Sequence, residues 1–193
     1  KIISSSSFDC CTNLKKIEFL SSEISIFDDN SFADSSLKYI SIPSSVTQIN
    51  QSAFFNCSEL RNVNFECKSK LETIGNFAFF GTKIESFVVP SSVKNIGKSA
   101  FENCLVLQKI KFDENSLLEF IDEFAFVRTS ISSIEIPPNV KKMCSNDFNQ
   151  CSDLQIIQIS EFSKMESFEI NFINIFDPIL MIPQDANIKF ITK

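Results

Sequence analysis

The stretch Val93–Phe112 reads VKNIGKSAFENCLVLQKIKF, with the skeleton V-x-x-I-x-x-x-A-F-x-x-C-x-x-L-x-x-I-x-F. The same skeleton returns as VTQINQSAFFNCSELRNVNF over Val46–Phe65 and as VKKMCSNDFNQCSDLQIIQI over Val140–Ile159. Shorter copies lie between them, LETIGNFAFFGTKIESFVV from Leu71 and LLEFIDEFAFVRTSISSIEI from Leu117. The anchor phenylalanines are Phe8, Phe32, Phe54, Phe79, Phe101, Phe126 and Phe148, separated by 24, 22, 25, 22, 25 and 22 residues. A short and a long repeat therefore alternate and sum to 47 residues. Regular self-similarity of this length is the signature of a solenoid, a stack in which each unit touches only its neighbours.

Composition agrees with a packed stack. The chain is 44% hydrophobic and 22% charged, with 22 Phe, 3 Gly and neither Trp nor His. That is enough apolar material for a continuous core and too much for a disordered chain. A net charge of -6 argues against nucleic acid as a partner, since phosphate binding needs concentrated Lys and Arg. No apolar run approaches the length of a membrane-spanning helix. Because the chain begins with Lys1, it reads as a mature chain or a piece of a longer array.

Two sides of each coil follow from the skeleton. L-x-x-I-x-I ends in a period-2 alternation, the pattern of a short strand buried on one side. Leu60, Val63 and Phe65 form one rung, and Leu107, Ile110 and Phe112 another. Stacked rungs predict a parallel ladder on this side. Ile42-Pro43, Val89-Pro90 and Ile136-Pro137 end strands, because proline has no N–H to give the ladder. The pairs Val46/Ile49, Leu71/Ile74, Val93/Ile96, Leu118/Ile121 and Val140/Met143 line a second side, as a short strand or an extended bend. Asn50, Gly75, Gly97 and Asp122 follow these pairs, residue types that tolerate left-handed backbone or cap helices. The Ala-Phe segment is expected to form a short helical or 3-10 turn. The solenoid is expected over 1–176, about seven repeats with the first degraded. Residues 177–193 are read as an irregular edge or capping repeat of the same domain.

Chemistry on this frame is sparse. Without His, Ser-His and Cys-His nucleophile pairs are excluded, as are His-containing metal sites. No catalytic, cofactor or metal residues are assigned. Cys57, Cys104 and Cys151 recur every 47 residues, so two rungs, about 9–10 Å, separate them. That is too far for a disulfide, and they read as buried free thiols. A bond among Cys10, Cys67 and Cys144 is left open. Asn50-Gln51-Ser52 and Asn56-Cys57-Ser58 match the glycosylation sequon, with Asn50 as the better-placed acceptor. What remains for function is the outward face of the L-x-x-I-x-I strands. Its candidate residues are Tyr39, Asn62, Asn64, Ser86, Val88, Lys109, Lys111, Ser133 and Glu135. Lys109 and Lys111 make the only doubly basic rung, the best contact for an acidic partner.

The unit IPSSVTQINQSAFFNCSELRNVNF, Ile42–Phe65, resembles the leucine-rich repeats of the BspA-like class, also called the Treponema pallidum type. Ile-Pro-x-x-Val, Ala-Phe, Asn-Cys and L-x-x-I-x-I all match, over Phe8 to Ile159. The short copies depart by lacking Cys, with Gly81-Thr82 and Arg128-Thr129 near its place. Heavy use of Phe, Asn, Ser, Ile and Lys is similar to a protist, trichomonad-like expansion. The resemblance implies an α/β solenoid, a curved right-handed coil with a concave parallel β-sheet. It also implies a non-enzymatic surface or secreted protein that binds a protein ligand, in adhesion to host cells or matrix proteins. The alternative is a cytoplasmic scaffold or a passive spacer in a larger repeat protein.

Overall fold

The structure is a computed structural model that describes residues 1–20, 23–170, 178–184 and 188–192. Its described residues form sixteen strands. They are β1 (Ile2–Ile3), β2 (Ile26–Phe27), β3 (Tyr39–Ile42), β4 (Gln48–Ile49), β5 (Asn62–Phe65), β6 (Thr73–Ile74), β7 (Ser86–Val89) and β8 (Asn95–Ile96). There follow β9 (Lys109–Phe112), β10 (Phe120–Ile121), β11 (Ser133–Ile136), β12 (Lys142–Cys144), β13 (Ile156–Ile159), β14 (Ser167–Ile170), β15 (Ile179–Met181) and β16 (Lys189–Thr192). Every pairing is parallel, as a coil that returns to the same side each turn requires.

The two sides of the coil differ in continuity. β1, β2 and the even-numbered strands from β4 to β16 form one unbroken nine-stranded sheet. This is the side of the Val/Ile pairs, so the second side is a short strand rather than a bend. On the L-x-x-I-x-I side, the strands, four residues long except the three-residue β15, instead separate into β3-β5, β7-β9 and β11-β13-β15. One continuous ladder was expected there. The two splits coincide with long turns, although the equivalent turn from Ile159 to Met165, with Phe162 at φ 58°, leaves β13 paired with β15. Six residues separate Phe65 from Leu71 and Phe112 from Leu118, whereas four separate Ile42 from Val46 and Val89 from Val93. The longer turn carries a left-handed residue, Lys68 or Asn115, at φ 61° and 58°. It stands between β5 and β7, and between β9 and β11, which are not paired. Two residues here and one between anchor and strand account for the difference between 22 and 25.

The third side holds the Ala-Phe segments, and only Ser145–Phe148 is a 3-10 turn. Elsewhere the segment is a run of tight turns. Ala53 N–H donates to Asn50 O, Phe55 N–H to Ser52 O and Cys57 N–H to Phe54 O. The alternate N–H groups reach the next coil: Ser52 to Asn76 O, Phe54 to Ala78 O and Asn56 to Phe80 O. A helix is prevented by left-handed residues at two positions per coil, such as Ser52 (φ 55°) and Asn56 (φ 51°). The left-handed sites therefore lie two residues beyond Asn50, Gly75 and Gly97. Gly75 and Gly97 serve close approach instead. A Cβ on Gly97 would stand 2.7 Å from the Asn76 nitrogen, and one on Gly75 2.6 Å from the Asn50 carbonyl carbon.

Inside, the anchors form one aromatic column. Ring centroids of Phe32, Phe54, Phe79, Phe101, Phe126 and Phe148 follow one another at 5.1, 5.2, 5.4, 5.9 and 5.7 Å, nearly parallel. Burial contributes about 1.5–3 kcal/mol per ring and each stacked pair about 0.5–1.5 kcal/mol more. Phe8 extends the column at 5.2 Å from Phe32. At the other end β15 pairs with β13 and β16 with β14, so the described part of 177–193 continues both sides regularly. The 176/177 boundary lies outside the described residues.

Candidate binding face

The nine predicted face residues come together. Tyr39 and Ser41 of β3 stand opposite Asn62 and Asn64 of β5, and Ser86 and Val88 of β7 opposite Lys109 and Lys111 of β9. Ser133 and Glu135 of β11 face Ile156 and Gln158 of β13. All nine are exposed, while Ile40, Ile42, Phe87, Val89, Ile134 and Ile136 of the same strands are buried. Period-2 alternation delivers this sorting, since successive side chains leave opposite faces of a strand. Tyr39 is 42% exposed and its ring is covered on one side by Lys16, 5.9 Å away, which also pairs with Glu18.

The splits in this side open as two clefts, which the sequence reading missed. One, of about 380 Å³, lies between β5 and β7 and is walled by Phe65, Val88 and Pro90, with Glu66, Lys68 and Asp113 along it. The other, of about 500 Å³, lies between β9 and β11 and is walled by Phe112, Pro137 and Pro138. Lys111, Asp113, Glu114 and Glu135 line it. Lys111 therefore shares this cleft with three carboxylates, and the Lys109/Lys111 rung is not an isolated basic patch. The signal available in the sequence was the six-residue interval after Phe65 and Phe112.

The repeated cysteines lie away from this face. Cys57, Cys104 and Cys151 are buried and free. Each thiol donates to the carbonyl of the preceding anchor, Phe32 at 2.9 Å, Phe79 at 3.1 Å and Phe126 at 3.0 Å. Ser35, Thr82 and Thr129 take the corresponding place in the short repeats and lie 3.4, 3.2 and 3.2 Å from the next sulfur. Burial pushes Cys57 and Cys104 up to about 11, so both remain protonated. Cys10 and Cys67 are exposed and free, and the Cys144 side chain lies outside the described residues. Asp9, Cys10 and Asp34 bring three ligand atoms within 4.8 Å. The hydrogen bond to Asp9 and its charge raise the Cys10 pKa, which opposes thiolate coordination. Of the sequon asparagines, Asn56 is exposed and Asn50 half-buried, donating to Asp28 Oδ1 at 2.9 Å. Asn56 donates in the same way to Asp34 Oδ1 at 2.5 Å, so the two differ in exposure and not in hydrogen bonding.

The sequence profile of the BspA type leucine rich repeat region matches six copies, over residues 1–106 and 72–191. The chain belongs to the BspA-type leucine-rich repeat family. Among solved structures, this leucine-rich repeat chain is similar to a leucine-rich repeat protein from Bacteroides ovatus, at TM-score 0.75 and 25% identity. That match covers 100% of this chain and 54% of the other. The pneumococcal vaccine antigen PcpA shares the fold at TM-score 0.64 and 20% identity, over 81% of this chain and 47% of that one. A leucine-rich cell surface protein from Faecalibacterium prausnitzii does so at TM-score 0.52 and 18% identity, over 77% and 59%. The chain spans about half the length of the first two. All three come from bacteria and lend no support to a protist origin. No curated protein matches the chain. Among the described residues, no helix is long and apolar enough to cross a membrane.

Proposed function

We propose that this repeat chain is a non-enzymatic protein-binding module acting at the cell surface, in adhesion or in recognition of a host or matrix protein. The strand face carrying Tyr39, Asn62, Asn64, Ser86, Val88, Lys109, Lys111, Ser133 and Glu135 is the contact surface. One observation carries the reading: side chains of unlike chemistry are exposed in register on strands whose inward residues are locked in the core. Recognition on such a surface orders side chains but not backbone, which limits its entropic cost. Surface location rests on the family and on what the names of similar proteins say of those proteins.

Antibody staining of intact against permeabilised cells tests location. Beads coated with the purified chain, offered to host cell layers and to immobilised matrix proteins, test binding. Staining of intact cells and retention of coated over uncoated beads are expected. Staining only after permeabilisation, or equal retention of both beads, would contradict the reading.

A further inference from the structure

In each coil one residue follows the leading Leu or Ile of L-x-x-I-x-I. In order these are Lys15, Lys38, Arg61, Glu85, Gln108, Ser132 and Gln155. The first three are exposed cations whose backbones are joined coil to coil. The Lys38 N–H donates to Lys15 O at 3.1 Å, and the Arg61 N–H to Lys38 O at 3.0 Å. Like charges stacked on neighbouring rungs repel one another. The nine-stranded side is built differently. There Glu72, Lys94, Glu119, Lys141 and Glu166 are joined by the same kind of backbone bond and alternate in sign. Lys94 pairs with Glu72 at 3.1 Å, and Lys141 with Glu119. Charge is thus cancelled from coil to coil on one side of the stack and accumulated on another.

Partners for these cations within the chain are weak. Among the described residues, Lys38 has no ion pair and no side-chain hydrogen bond. Arg61 pairs with Glu85 at 3.3 Å, but the two side chains are 49% and 65% exposed, and such pairs contribute little. Lys15 donates to Thr12 O at 3.2 Å, Lys16 pairs with Glu18, and Lys83 with Glu59 at 3.1 Å. These groups hold five cations against three carboxylates, on a chain whose net charge is -6. Beside the column stand the hydroxyls of Tyr39 and Ser41 and the amides of Asn62 and Asn64, all exposed. An acidic protein segment is poorly served here. The two apolar clefts that could anchor it are rimmed by Glu66, Asp113, Glu114 and Glu135. A chain of sugar rings needs no such socket, since cations meet its anionic groups and hydroxyls and amides meet its hydroxyls. We propose that this end of the strand face binds a sulfated polysaccharide, with Lys15, Lys38 and Arg61 contacting its sulfate groups. The proposal adds a class of ligand to the protein-binding reading and does not depend on it.

Surface plasmon resonance of the purified chain over immobilised heparin, desulfated heparin and poly-L-glutamate tests it. Heparin should bind at least tenfold tighter than either of the others. Lys15→Gln/Lys38→Gln/Arg61→Gln should weaken heparin binding at least tenfold with an unchanged melting temperature. Lys94→Gln/Lys141→Gln/Lys142→Gln removes the same charge from the nine-stranded side and should leave heparin binding unchanged. No binding of heparin, equal binding after desulfation, or equal binding of poly-L-glutamate overturns the proposal. So does indifference to the first triple variant, or an equal loss in both. Retention on matrix proteins stripped of sugar chains reads the protein-binding proposal separately, so the two can fail independently.

Discussion

The Cys104 thiol donates a hydrogen bond to the Phe79 carbonyl oxygen at 3.1 Å, joining adjacent coils of the stack. The bond ties a buried sulfur to the anchor of the preceding repeat, and its equivalents recur at Cys57 and Cys151.

Thiol titration should therefore appear in the pH dependence of stability. Cys57 and Cys104 ionise near the ordinary thiol value of about 9 when unfolded, and burial pushes them up to about 11 when folded. The folded state thus favours the protonated form. Its contribution is complete below pH 9 and is lost as pH rises to about 11, at about 1.4 kcal/mol per pH unit for each thiol. Urea melts from pH 8 to 11 should show a steeper decline for the native chain than for Cys57→Ser/Cys104→Ser. Parallel declines would mean that the thiols are not buried.

The aromatic column predicts a large difference between two truncations. Phe101 is fully buried between Phe79 and Phe126, so Phe101→Ala should cost about 3–5 kcal/mol. Lys111→Ala on the strand face should cost less than roughly 0.5 kcal/mol. Comparable losses in denaturant melts would contradict the register of the coils.

Two glycines should respond differently to Ala. At Gly97 the new Cβ meets the backbone of the preceding coil at 2.7 Å, and a cost of about 3 kcal/mol is expected. At Gly81 the nearest atom is 3.5 Å away, so the cost is that of the left-handed backbone at φ 69°, about 1–2 kcal/mol. Thermal melts rank the two, and a milder effect at Gly97 would mean that the coils do not approach there.

Secretion through a glycosylating host should place a glycan on Asn56 and not on Asn50. Each asparagine donates to a carboxylate of the preceding coil, but Asn50 is half-buried with Ser52 of its sequon buried, whereas Asn56 and Ser58 are exposed. Peptide mass spectrometry reads the outcome, and occupancy of Asn50 alone would contradict it.

The repeat, its anchors and the outward strand residues were legible in the sequence because each obeys a fixed offset from a Phe. The left-handed sites were not. They are filled by Ser52, Phe77, Ser99 and Phe124, which share a conformation but no chemistry. Nor was it evident that the V-x-x-I strands, most of them two residues long, carry the continuous sheet, since V-x-x-I and L-x-x-I-x-I are both apolar pairings. The clefts accompany two extra residues after Phe65 and Phe112, but the same two residues follow Ile159, where β13 still pairs with β15, so the count alone does not locate them.

Recognition by the four-residue strand face is tested most directly by comparing the three sides of the coil. Tyr39→Ala/Asn62→Arg/Ser133→Arg alters the strand face, Gln48→Arg/Lys142→Glu the nine-stranded sheet, and Lys98→Glu/Glu102→Lys/Arg128→Glu the turn side. Each protein is coupled to beads and its retention on cell layers is measured beside its melting temperature. The strand-face variant should lose at least tenfold in retention with an unchanged melt, and the other two should retain theirs. Loss confined to the nine-stranded sheet or the turn side, with the strand-face variant retained, would contradict the account.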